Sequence, residues 1–201
     1  MLLEEENTFW ARQKILNAIV SEPEIVLLLK EKYIDEEVWK FCIEREPSLF
    51  KKMKHPSPNL CMFACEVDGS NLKVIKNKFT YVQITDTMVL AAVKSNPKAI
   101  KIAPKKFVTD ELKEIAFDQD PSLMANYKLI RPKYLEKIIE ERPSSLRYVE
   151  YPDEDIICDG IKKNPNIFPY LQLITEKMLD TLEKYHPQHF QLFKTGFSNQ
   201  K

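Results

Sequence analysis

The chain has 201 residues, 44% of them apolar and 30% charged, and its formal net charge is zero. That balance belongs to a globular chain with a sizeable core; it excludes disorder and any global field drawing the chain to nucleic acid or membrane. Three glycines, Gly69, Gly160 and Gly196, are too few for a GxGxxG or GxxxxGK[ST] phosphate loop, and no GxSxG elbow occurs.

The N-terminal "MLLEEENTFW" is acidic, with too short an apolar stretch for a secretory signal. No apolar run approaches the roughly 20 residues of a membrane span. The expectation is a cytoplasmic chain that does not enter a membrane. Residues 1–22 read as a cap, with a helix over Asn7–Glu22. Glu4–Glu6 lie at the positive end of its dipole, and Phe9 and Trp10 fold over the first repeat.

From Pro23 onward the chain repeats. Pro23, Pro47, Gly69, Pro97, Pro121, Pro143, Pro165 and Pro187 are separated by 24, 22, 28, 24, 22, 22 and 22 residues. A near-constant period over most of a chain is the mark of a solenoid. Three residues after each anchor stand Val26, Phe50, Leu72, Ile100, Met124, Leu146, Phe168 and Phe190, and the sixth position is apolar throughout. A spacing of three suits a short helical turn with one buried stripe.

Before each anchor the spacing predicts a helix of about ten residues. Four before stand Ile19, Ile43, Cys65, Val93, Phe117, Ile139 and Ile161, with Glu183 as the exception. Eight before are mostly apolar too; Lys113 breaks the row, and Leu112 beside it takes its place. Five before are often small, as at Ala64, Ala92, Ala116 and Gly160, which lets neighbouring helices approach. Twelve before stand Asp35, Ser57, Thr85, Thr109, Asp153 and Thr175, each able to cap a helix N-terminus; Arg131 fills the slot once. The anchor proline ends the helix by pushing its predecessor out of the helical region. The predicted fold is an all-α solenoid of about eight stacked units of 22–24 residues in one domain, 1–201. Repeats occupy 23–194, an insertion lies near 74–84, and 195–201 form a loose tail.

The phrase "VLAAVKSNPKAI" (Val89–Ile100) resembles the "LAAVKxNxxAI" core of short two-helix repeats in proteins of unknown function from phages, large viruses and protists. The pattern also resembles the leucine-rich-repeat variant that alternates an α-helix with a 3-10 helix. The likeness is clearest over Thr85–Met124, and proline here replaces the glycine common in the viral-type units. It implies a solenoid that binds protein, such as a viral or phage inhibitor of a host complex, rather than a reaction.

Candidate chemistry is sparse. Cys61 and Cys65 are four apart but occupy core slots, and four free thiols used as small buried hydrophobes suit a reducing compartment. His186 and His189 flank Pro187 without further ligands. No catalytic set, metal site or cofactor is expected.

Charge is unevenly placed. Residues 51–106 hold eleven lysines and three acidic residues, a balance of +8, between an acidic 1–50 and 107–201. Lys51, Lys73 and Lys101 occupy one outward slot, four after the anchor, in three successive units. Lys52, Lys54, Lys76, Lys78, Lys98, Lys105 and Lys106 stand close by. The insertion adds Phe79 and Tyr81, either as packed filler or as an aromatic contact loop. These twelve residues are the expected binding set. The expected partner is a protein with an acidic surface; the alternative is nucleic acid, against which stands the lack of arginine between 51 and 106.

Overall fold

The computed structural model describes residues 13–30 and 34–198, the side chains of 196–198 excepted. Every regular element among them is helical, and no strand occurs. Helical residues 13–21 lead into a 3-10 turn, Pro23–Leu28. The longer helices are α1 (Glu36–Arg45), α2 (Pro58–Val67), α3 (Asn71–Lys78), α4 (Asp86–Ser95), α5 (Asp110–Gln119), α6 (Pro132–Glu141), α7 (Glu154–Lys163), α8 (Glu176–Tyr185) and α9 (Pro187–Ser198). Between them lie 3-10 turns at Pro47–Lys52, Pro97–Lys101, Lys105–Phe107, Pro121–Asn126, Pro143–Tyr148 and Pro165–Tyr170. Tertiary contacts divide the chain into two compact units, one ending at Ile115 and the other beginning at Ala116.

Each repeat is built by the same local chemistry. The side chains of Asp35, Ser57, Thr85, Thr109 and Thr175 accept from the backbone N–H three residues on, and Asp153 accepts from Asp155 and Ile156. These are the amides that the first helical turn leaves without partners. Arg131 makes no side-chain cap. Two cap hydroxyls also donate to the previous repeat: Ser57 Oγ to Glu36 Oε2 at 2.6 Å, and Thr175 Oγ1 to Glu154. At the far end, the residue before the anchor leaves the helix, as at Glu46 (φ −136°, ψ 84°) and Asn164 (φ −145°, ψ 100°). The proline then opens the 3-10 turn, where its missing N–H is not needed. Asn96, Asp120 and Asn164 also cap those turns through their side chains.

The buried slots follow the expected register. All eight residues three after the anchor are at most 5% exposed. Ile19, Ile43, Cys65, Val93, Phe117, Ile139 and Ile161 are equally buried, and Glu183 is exposed. Two further core rows are not in the sequence reading. Nine before the anchor, Val38, Leu60, Met88, Leu112, Tyr134 and Met178 are buried; Leu112 therefore belongs to this row and is not a stand-in for Lys113. Two after the anchor, Leu49, Ala99, Leu123 and Ile167 are buried, and Asn71 joins them by donating Nδ2 to the Ala64 carbonyl at 2.9 Å.

In the first unit α2 packs on α1 and on α4, so the long helices stack. In the second, α7 packs on α6 and α8, and the turns at Pro121, Pro143 and Pro165 stack in order. Two segments depart from expectation. The turn expected after Gly69 is a full helix, α3, extending to Lys78, so the irregular part of the insertion is 79–84. After Pro187 the chain continues as α9 to Ser198, so 195–198 are helical and not a loose tail. The expected positions of Glu4–Glu6, Phe9 and Trp10, and of 199–201, lie outside the described residues.

Candidate interaction face

The lysines come from the second segment of three successive repeats: 47–56, 69–84 and 97–108. Together these carry ten lysines and no acidic residue. All ten are exposed. The acidic residues of this part of the chain, Glu66, Asp68 and Asp86, sit on or beside the long helices α2 and α4.

The three segments lie side by side in the first unit. Lys78 Nζ donates to the carbonyls of Lys51 (2.6 Å) and Met53 (2.8 Å). Tyr81 Oη donates to the Pro56 carbonyl at 3.0 Å, and the Phe79 ring meets Phe50 edge-on at 5.3 Å. On the other side, Lys76 Nζ donates to the Ile102 carbonyl at 3.2 Å. Lys73 stands one turn from Lys76 on the exposed stripe of α3, opposite buried Leu72 and Ile75. Lys51 and Lys101 stand in the last turn of their 3-10 segments.

The expected set therefore divides by role. Lys76 and Lys78 brace neighbouring turns, and Lys52 pairs with Glu24 at 2.9 Å. Lys106 lies over the Phe107 ring at 4.6 Å. Lys51, Lys54, Lys73, Lys98, Lys101 and Lys105 form no ion pair among the described residues. Phe79 requires a correction: it is 1% exposed and belongs to the core, because α3 delivers it onto Phe50. Tyr81 remains 58% exposed.

One feature of the face was not read from the sequence. A groove of about 270 Å³ separates 79–84 from 104–107. Ile75, Val82 and Ile84 line one side, and Pro104 and Phe107 the other; Lys76 and Lys106 also border it. The available signal was the 28-residue interval, which marks 79–84 but not 104–107.

The thiols are core groups. Cys42, Cys61, Cys65 and Cys158 are free and buried. Burial pushes Cys42 and Cys61 up to about 11 and Cys65 up to about 12, so these sulfurs stay protonated. Among the described residues no group of three His, Cys, Asp or Glu is placed to hold a metal, and no helix is long and apolar enough to cross a membrane.

The fold and the face define an all-α repeat protein with a basic surface on three successive repeats. Compared with protein-family models, curated proteins and solved structures, the chain matches none.

Proposed function

We propose that the chain is a non-catalytic binding module that presents the lysine face of its first unit to an acidic protein surface. The observation that carries this reading is the segregation of charge: ten exposed lysines and no acidic residue on three adjoining segments. Unpaired cations in one field attract and orient an acidic partner, and their main effect is on association rate and partner choice. Modulation of a host complex is the setting that the likeness of Val89–Ile100 to viral and phage repeats suggests. A cytoplasmic location is part of the reading, supported by the four buried free thiols.

The same lysines favour a second reading, contact with nucleic-acid phosphates. The missing arginine weighs against it, because guanidinium is the better bidentate phosphate reader. An affinity capture from cell extract, with and without nuclease, separates the two. Capture of a defined protein that persists after nuclease supports the first; a catch that disappears with nuclease supports the second and overturns the first.

A further inference from the structure

Two successive intervals of the repeat carry extra segments, and those segments face each other across one groove. The 28-residue interval carries α3 and the loop 79–84; the 24-residue interval carries the additional turn Lys105–Phe107. α2 packs directly on α4, so α3 and the loop 79–84 are not needed to join those two long helices. What the extra segments build together is the cleft of about 270 Å³ between them.

Its chemistry is divided. Val82, Ile84, Pro104 and Phe107 give it an apolar part, and Thr80 and Gln83 give it a polar part. Lys76 and Lys106 border the same cleft, and both are exposed. Lys76 uses one ammonium proton on the Ile102 carbonyl, leaving two of its three donors. The cleft is smaller than the roughly 300–1,000 Å³ usual for cofactors and drug-sized ligands. It has the scale of one side chain.

We infer that this groove is an anchor site for a single apolar side chain of an acidic peptide segment, with carboxylates on either side of that residue held by the lysines around the groove. This rests on the acidic-protein reading above and specifies the partner: an acidic segment interrupted by one Leu, Ile, Met or Phe. Charge brings the segment to the face, and the buried side chain sets its register there.

The test is selection of displayed random peptides of about twelve residues on the full chain, followed by titration of a selected peptide and its anchor-to-Ala version. Selected sequences carry acidic residues around one large apolar residue, and its replacement by Ala weakens binding at least tenfold. That comparison uses the unaltered protein and needs no variant to fold. Thr80→Trp, at an exposed position lining the groove, weakens the parent peptide at least tenfold while leaving the Ala peptide unchanged. Acidic peptides that bind equally well with Ala overturn the groove assignment and leave the acidic-partner reading standing. Selection of no acidic sequence, or displacement of the peptide by a single-stranded oligonucleotide of similar affinity, overturns both.

Discussion

Phe79 packs edge-on against Phe50, with ring centroids 5.3 Å apart and an interplanar angle of 71°. Both rings are at most 1% exposed, so the residue that ends α3 is bound into the core beneath the neighbouring turn. Phe79→Ala is expected to cost about 3–5 kcal/mol, the usual range for a buried aromatic truncated to alanine. Urea unfolding monitored by circular dichroism measures it. A change near zero would mean that this side chain is a surface contact after all.

Gly69 replaces the anchor proline for a steric reason. A Cβ there would lie 2.0 Å from the carbonyl oxygen of Ala92, so the backbone of α4 would have to move. At Gly160 a Cβ would meet side chains rather than backbone, Ile139 Cγ2 at 2.9 Å and Ile167 Cδ1 at 3.0 Å, both of buried residues. Gly69→Ala should therefore destabilise by about 3 kcal/mol or more. Gly160→Ala should cost less, about 1–2 kcal/mol, because side chains yield more readily than backbone and the gain in helix propensity offsets part of the crowding. Thermal melts of the two variants compare them directly; equal losses would refute the close approach of α4.

Asp118 collects three donors: Tyr134 Oη at 2.8 Å, Lys137 Nζ at 3.0 Å and the Arg142 guanidinium. Burial alone would push its carboxyl up, but the hydrogen bonds from Lys137, Tyr134 and Arg142 outweigh it and hold the group below its ordinary 3.8. A lowered folded value means that the contribution is complete above pH 3.8 and disappears as the pH falls through the lowered value. The carboxylate is 38% exposed, so Asp118→Asn should cost only ~0.5–1 kcal/mol near neutrality. The difference from the parent should close in more acidic solution. A penalty that stays constant as the pH falls through the carboxylate range would assign the effect to packing.

Lys51, Lys73 and Lys101 are exposed and unpaired among the described residues, so reversing all three to Glu should leave the melting curve within a few degrees of the parent. Binding to a captured partner should weaken at least tenfold, about 1.4 kcal/mol. The matched control, Lys128, Lys133 and Lys184 to Glu, alters exposed lysines of the second unit. Equal affinity for the two folded triple variants would reduce the lysine face to ordinary surface.

The sequence by itself determined the repeat, its register and the ends of the long helices before the anchors. Those depend on short-range relations: a cap residue reaches an amide three positions on, a proline excludes helix at its predecessor, and a buried slot is revealed by recurring eight times. The same repetition exposed the row of Lys51, Lys73 and Lys101. The tertiary structure decided what lies across sequence separations of twenty residues or more. Gly69 reads as a missing proline until Ala92 of α4, more than twenty residues on, is found against it. Phe79 and Tyr81 alternate in the same way in a contact loop and in a packed one; only the position of Phe50 and of the Pro56 carbonyl separates the buried ring from the exposed one. The groove is of the same kind: its two walls are the extra segments of two successive repeats, and no local pattern can state that separate segments face each other.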